Sequence, residues 1–394
     1  MTNLVFVFPY RSVGGVSTLF VRIVNYINTH HCSEYKAYIA DYLSGYSYGL
    51  VEDKYRIIVE DSSLRMRVPD NSILWFQHST NFRLFDNING SNLRCVFWNL
   101  HVNNSLVDIP IFTSFIRRRP FSKVFRWFVK IPIVRYSYTD LTNYMAQNNG
   151  LVFMEHSIKE FLSMTSNLLK INDCARVPLY FPILQKRINY SFNKESGLSV
   201  LFLGRLVDFK GTSLLVLMND LKSLKFNKVS LFVIGDGPFK SFLKDHSHKL
   251  KLQTTFLGEL NQSQIKDVVI KYKINLGVAM GTSVLELINI GIPVIGVNIN
   301  YKLDSKSSYI GFDSFNENLG KYERFSENNP SLKALLSKTG LKSTTSLYRT
   351  YGPDAILKLL KVSERTSLKY AELIPKFKRF KKLYKTYYAI RAKF

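Results

Sequence analysis

Arg205, Lys210 and Glu286 are the side chains whose types and setting point most directly to chemistry. Arg205 and Lys210 follow an apolar run, Leu198 to Leu203, that reads as a strand ending at Gly204, and they precede Gly211 and a helix expected to start at Thr212 or Ser213. Two cations beside the carboxyl end of a strand can clamp a diphosphate, although lone cations at loop ends are usually solvated surface charges. Glu286 follows a second apolar run, Ile274 to Val278, across the loop Ala279-Met280-Gly281-Thr282-Ser283, and is expected inside the first turn of a helix from about Val284 to Ile290. Gly291 stops that helix, Pro293 starts the exit, and Val294 to Val297 reads as another buried strand. In such a βαβ unit the loop and the first helical turn present unpaired backbone N–H groups, which favour a phosphate. A carboxylate there can complement the helix dipole or accept hydrogen bonds from a ribose.

Between these stretches lie Val229 to Ile234 with the turn Gly235-Asp236-Gly237-Pro238, and Thr255 to Leu257 with Gly258-Glu259. The ordered set LGRLVDFKG, VIGDGP, FLGEL and GTSVLELINIGIPVIG resembles the nucleotide-binding half of retaining glycosyltransferases of family four, densely over about Leu198 to Val297. The resemblance implies an α/β protein of the GT-B fold, with two Rossmann-like doubly wound parallel-sheet domains facing a central cleft. It implies that Arg205 and Lys210 bind the donor diphosphate and that Glu286 binds the ribose. Further donor contacts are implied at Gly204, Gly235, Glu259, Gly281, Thr282 and Ser283, and at the pair Gly14-Gly15 after the first strand. His101, in FWNLHVNN, resembles the histidine that the family holds near the donor sugar; the alternative is a loop histidine bonded to backbone. The family's first Glu of a two-glutamate motif, which touches hydroxyls of the donor sugar, falls on Val278 and is missing. The sugar therefore stays open.

The implied reaction is transfer of a sugar from a nucleoside diphosphate sugar to a hydroxyl, with retention. Negative charge builds on the β-phosphate as the glycosidic bond stretches, and preorganised cations stabilise it more than they stabilise the ground state. No protein nucleophile is required. No Asp-x-Asp pair occurs in the chain, so no chelated metal and no cofactor beside the donor is expected, and Arg205, Lys210 and helix amides must balance the diphosphate.

The elements that must position these groups fit a chain of 394 residues with 46% hydrophobic residues, enough for two cores. The expected division is an acceptor-side domain over 1–190, a nucleotide-sugar domain over 191–350, and a helical region with a basic aromatic tail over 351–394. In the first half, strands are expected at Leu4 to Phe8, Lys36 to Tyr42, Arg56 to Val59, Ile73 to Gln77, Arg94 to Trp98 and Gly150 to Met154. His78, His101 and Glu155 each follow one of them, where ligands bind in open α/β sheets. The cysteines Cys32, Cys95 and Cys174 form no CxxC pair, which suits buried thiols in a reducing compartment. The first residues read as a strand rather than a signal peptide, and no run approaches the roughly 20 apolar residues that span a bilayer.

A net charge of +25 must find anions: nucleic acid, anionic lipid or phosphorylated substrates. Over Phe112 to Lys130, and again over Lys376 to Phe394, the cations are interleaved with aromatic and aliphatic side chains. That composition suits an interfacial segment on anionic lipid better than a nucleic-acid backbone, the alternatives being a core helix with a basic face for the first and a disordered tail for the second. The combined expectation is a cytoplasmic enzyme, peripheral on the inner face of the plasma membrane, that assembles a cell-surface polysaccharide or O-antigen on a glycan or lipid-linked acceptor, without nucleic acid as a partner. The alternatives are a nucleic-acid-binding or DNA-modifying protein on a similar scaffold, and an inactive sugar-nucleotide-binding subunit.

Overall fold

A computed structural model describes residues 1–11, 14–78, 82–100, 140–156, 158–159, 171–192, 195, 197–298, 309–315, 319–320, 330–338 and 340–378. These form two compact units, one from the described residues of Met1–Tyr180 and Pro353–Phe394, the other from those of Phe181–Gly352.

The first unit is built on six parallel strands: β1 (Thr2–Val7), β2 (Tyr35–Asp41), β3 (Arg56–Ile58), β4 (Ile73–Gln77), β5 (Arg94–Asn99) and β6 (Leu151–Phe153). They lie in the order β3-β2-β1-β4-β5-β6. Strands covered on both faces must be apolar throughout, and Leu4, Val5, Phe6 and Val7 are all fully buried. Helix α1 (Gly15–His30) covers one face with Leu19, Phe20, Ile23, Val24 and Ile27, a helical repeat of apolar side chains. The strand order reverses between β1 and β4, which opens a crevice at their carboxyl ends.

The second unit repeats this plan. Strands β7 (Leu198–Leu203), β8 (Val229–Ile234), β9 (Gln253–Gly258), β10 (Leu276–Ala279), β11 (Val294–Val297) and β12 (Tyr309–Ile310) lie in the order β9-β8-β7-β10-β11-β12, parallel except for β12. Its main helices are α2 (Asp208–Ser223), α3 (Lys240–Lys249), α4 (Gln262–Lys271) and α5 (Thr282–Ile290). Here the order reverses between β7 and β10. An α/β fold of two Rossmann-like parallel sheets is therefore present, as expected.

The expected boundaries shift. The crossing at 190/191 lies instead between Tyr180 and Phe181, because Arg187–Tyr190 is a strand of the second unit, antiparallel to Gly340–Ser343. Thr344, fully buried, ties that ribbon down: its hydroxyl accepts from the Lys186 N–H at 2.8 Å and donates to the Leu184 carbonyl at 2.8 Å. The region 351–394 is not separate over its described part, since α6 (Pro353–Arg365) belongs to the first unit. Ser363 on α6 accepts from Trp75 Nε1 at 3.0 Å, and beyond it the Leu368 carbonyl accepts from the Cys95 N–H at 2.8 Å.

The basic tail also starts differently from its expected surface position. A helix over 370–378 buries Phe377 completely against the rings of Phe85, at 4.3 Å between centroids, and Phe97, at 6.2 Å. The rest of the tail, and the whole of Phe112 to Lys130, lie outside the described residues. A truncation removing 376–394 should therefore cost about 3 kcal/mol or more relative to one removing 379–394, since only the former deletes a buried phenylalanine. Urea denaturation of the two truncated proteins measures the difference, and equal midpoints would contradict it.

Candidate functional site

In the second unit the loops after β7 and β10 flank the point where the strand order reverses, and these loops with the helices they open, α2 and α5, carry Arg205, Lys210, Gly281, Thr282, Ser283 and Glu286. Glycines allow the strand ends to meet. The Gly204 N–H donates to the Ile234 carbonyl at 3.0 Å, the Leu206 N–H to the Asp236 carbonyl at 2.8 Å, and the Gly235 N–H to the Gly258 carbonyl at 2.7 Å. Gly235 has φ +132°, and a Cβ there would lie 2.1 Å from the Gly204 carbonyl oxygen. Backbone thus packs on backbone beneath Arg205.

Helix α2 starts at Asp208, earlier than expected, so Lys210 lies in its first turn. A cation at a helix N-terminus opposes the helix dipole. The Lys210 side chain is half-buried and folded over Gly204, its Nζ 3.4 Å from where a Gly204 Cβ would stand. Burial first, then repulsion by Arg205, push the Lys210 ammonium down from 10.5 to about 8, while Glu286 pulls it back up. The three residues singled out by type therefore sense one another electrostatically. Burial and Arg205 together outweigh the favourable pull of Glu286, so the arrangement disfavours the lysine's charge on balance and a site made for an anion is the better account. The opposite case is Lys186, whose ammonium donates to the Asn289 carbonyl in the last turn of α5, where the dipole welcomes a cation.

Helix α5 starts at Thr282, two residues earlier than expected, and no acidic residue stands in its first turn. Glu286, half-buried, is one turn deeper than expected, which weakens the purely dipolar account of its carboxylate. Gly281 caps the helix at φ +66° with open space where a Cβ would be, and its N–H donates to the Leu319 carbonyl. Thr282 and Ser283 are half-buried at the helix opening. Val278, the position that lacks the family's first glutamate, is fully buried inside β10, paired with Phe202 and Ile295. The strand runs straight through it into a two-residue link, Met280-Gly281, so no loop exists there to carry a carboxylate.

The other expected residues are less closely drawn in. Glu259 follows the edge strand β9, is exposed, and makes no ion pair or side-chain hydrogen bond among the described residues. Gly14 and Gly15 stand at the start of α1 in the first unit, at that unit's own strand-order reversal. The Gly14 carbonyl accepts from the Thr18 N–H at 3.0 Å and its hydroxyl at 2.9 Å. His101 lies outside the described residues. His78 is buried beside Asn99, 3.4 Å from Nδ1 to Nδ2, and burial lowers its pKa to about 4, so it stays neutral at physiological pH. Glu155 is buried at the end of β6.

Residues 186–304 match the family model of glycosyl transferases group 1. The second unit carries a glycosyl transferases group 1 domain. The first residues matched, from 186, coincide with the ribbon that moved the boundary upstream. Among solved structures, a mutant of S. aureus TarM in complex with Fondaparinux, alpha-GlcNAc-glycerol and UDP shares 12% identity, with 96% of this chain and 99% of that one covered and a TM-score of 0.51, which shows a shared GT-B fold. The lipopolysaccharide outer core galactosyltransferase WaaB in its apo form is 12% identical over 96% and 95% of the two chains, with a TM-score of 0.46. AviGT4, a glycosyltransferase involved in Avilamycin A biosynthesis, is 10% identical over 95% and 98%, also with a TM-score of 0.46. Compared with curated proteins, the sequence matches none.

The group 1 domain thus contains the clustered Arg205, Lys210 and Glu286, whereas Asp41 of the first unit escaped the sequence reading. This carboxylate is fully buried and accepts from the N–H groups of Tyr10, Tyr42 and Ser47 at 2.8, 2.8 and 3.0 Å. Its only sequence signal was Gly45, where a Cβ would lie 2.2 Å from the Asp41 carboxyl carbon.

Proposed function

We propose that this protein transfers a sugar from a nucleoside diphosphate sugar to a hydroxyl of a glycan acceptor, with retention and without a metal ion. The observation that carries this reading is Lys210: a desolvated ammonium in the first turn of a helix, beside Arg205 and within the field of Glu286. An approaching diphosphate replaces the lost hydration of both cations and meets the N-terminal amides of α2 and α5. As the glycosidic bond stretches, charge moves onto the β-phosphate and both cations hold it more tightly. The acceptor proton then passes to a departing phosphate oxygen on the same face of the sugar.

The acceptor is lipid-linked and the protein works on the inner face of the plasma membrane, in assembly of a cell-surface polysaccharide or O-antigen. The net charge of +25 supports this part, together with the absence, among the described residues, of any helix long and apolar enough to cross a membrane. A panel of sugar nucleotides, assayed for turnover and for thermal stabilisation with EDTA present, tests the reading. No stabilisation by any of them would overturn it.

Val278 favours one second reading, a subunit that binds sugar nucleotide without turning it over. Stabilisation by a donor without hydrolysis or transfer to any acceptor would select it.

Glu286→Gln should weaken nucleoside diphosphate binding by about 10-fold with a smaller effect on the chemical step, because an amide offers a ribose one acceptor and no charge. Calorimetric titration measures it. An unchanged dissociation constant would remove Glu286 from the nucleotide site.

A further inference from the structure

The second unit keeps Arg205, Lys210 and Glu286 at the carboxyl edge of its sheet, and the opposite edge has a charge pattern of its own. Because β7, β8, β9 and β10 are parallel, the connections that enter β8, β9 and β10 all arrive at that amino edge. Each brings two lysines: Lys225 and Lys228 before β8, Lys249 and Lys251 before β9, Lys271 and Lys273 before β10. All of them are exposed. With neighbouring strands about 4.8 Å apart, the starts of these strands lie within about 15 Å of one another. Residues 221–230, 246–253 and 270–276 contain no Asp or Glu, and none of these lysines forms an ion pair among the described residues.

The backbone keeps this charge at a cost. Helices α3 and α4 end alike: the Leu252 N–H donates to the Ser247 carbonyl at 3.1 Å and the Ile274 N–H to the Val269 carbonyl at 3.0 Å. The residues just before these donors, Lys251 and Lys273, are left-handed, at φ +51° and +49°. Glycine or asparagine takes that place most readily, and a lysine there is uncommon. Helix dipoles favour a cation in a last turn, but the effect fades beyond it and does not account for Lys225 and Lys228, which follow Ser223, the last residue of α2.

Composition narrows the partner. A fixed phosphate site favours arginine, whose fork holds two oxygens, whereas these cations are all lysine, point charges on flexible stems that suit a diffuse anionic surface. Single-stranded nucleic acid is held on free aromatic rings, yet Tyr272 packs on Phe232 at 4.5 Å between centroids and Phe226 packs against the core. The side chain that stands free among the lysines is aliphatic: Ile270 is 66% exposed and precedes Lys271, whose ammonium lies 5.3 Å from the Tyr272 ring centroid. An aliphatic group set among lysines matches the acyl boundary and headgroups of a bilayer. We infer that the amino edge of the second unit's sheet is a docking surface for an anionic lipid bilayer, in addition to any contact made by Phe112 to Lys130 or the tail. This rests on the membrane location proposed above. The strand β7, six residues long, holds the donor site about 20 Å from that edge, so docking leaves the site clear of lipid and open to the outer end of a lipid-linked glycan.

The test is co-sedimentation of the full-length protein with phosphatidylglycerol or phosphatidylcholine vesicles. Wild type should bind the former and not the latter, and release should follow as salt rises from about 0.05 to 0.5 M. A variant combining Lys225→Gln, Lys228→Gln, Lys251→Asn and Lys273→Asn should bind phosphatidylglycerol about 100-fold more weakly, the asparagines being chosen because they tolerate the left-handed backbone. A control with the same loss of charge elsewhere, Lys333→Gln, Lys338→Gln, Lys358→Gln and Lys361→Gln, should bind nearly as wild type. Equal losses in the two variants would reduce the effect to net charge and overturn the inference. Binding by the first variant as strong as that of wild type would also overturn it, while leaving the membrane location intact. No binding by wild type would overturn both. Tighter binding of duplex DNA than of phosphatidylglycerol at equal salt, lost in the first variant, would replace lipid by nucleic acid. Nucleoside diphosphate should bind all three proteins equally, and its failure to bind wild type would defeat the transfer reading whatever the vesicles show.

Discussion

Lys210→Ala lowers turnover by about 100-fold or more while the protein stays folded, because it removes a charge-assisted contact that tightens as charge reaches the β-phosphate. Arg205→Ala should act in the same direction. For Lys210 the expected signature extends to protons. Its folded pKa is depressed from 10.5 to about 8 by burial and by Arg205, so between those values the folded state binds fewer protons than the unfolded state. Stability should consequently rise with pH across that window. A bound diphosphate restores the ammonium, so binding above pH 8 takes up a proton, and affinity falls as pH rises through the depressed pKa. Titration of nucleoside diphosphate in buffers of different ionisation enthalpy reads this uptake directly. Uptake that persists in Lys210→Ala, or near wild-type turnover of that variant, would show that Lys210 is not the group concerned.

Gly235→Ala should destabilise the second unit by about 3 kcal/mol, since it combines an unfavourable φ with a backbone collision. The new Cβ would stand 2.1 Å from the Gly204 carbonyl oxygen and 3.4 Å from the Arg205 nitrogen, so relief must move the strand end that carries Arg205. Gly258→Ala is the control: its φ is also positive, at +75°, but the space is open, and its cost should be near 1 kcal/mol. Because all three tryptophans, Trp75, Trp98 and Trp127, precede residue 181, fluorescence would miss the effect. Hydrogen exchange in β7 and β8 would register it. Equal protection in the two variants would mean that the loops do not bear on each other as closely as described.

Both sheets were legible because parallel strands buried on two faces read as continuous apolar runs, and Leu4 to Val7, Leu231 to Ile234 and Val294 to Val297 are such runs. That Arg205, Lys210 and Glu286 belong to one site was expected from the family resemblance, their places after strand ends alone leaving solvated charges as an alternative. Helix starts were not legible. Both α2 and α5 begin before their first expected apolar residue, since Val207 and Gly281 cap them without a Ser, Thr, Asp or Asn side chain to announce the place. Val278 was legible as the end of a buried apolar run, and it is a fully buried residue of β10, which extends one residue further than expected, to Ala279. Asp41 was invisible: its partners are backbone amides, which leave no trace in side-chain types.

The return of α6 and the residues after it to the first unit sets an order of assembly during synthesis. Ser363, Thr366 and Leu368 are buried against Trp75 and Cys95, so β4 and β5 are made long before the side chains that cover them. Phe181–Gly352, by contrast, is one continuous stretch of the chain, and its described residues can close as soon as they leave the ribosome. The group 1 domain is therefore expected to fold first, while the nascent amino-terminal sheet waits, with Trp75 and Cys95 uncovered, for residues translated some 270 positions later than Cys95. That interval is a period of aggregation risk, and chaperone demand in expression should track the first unit rather than the second.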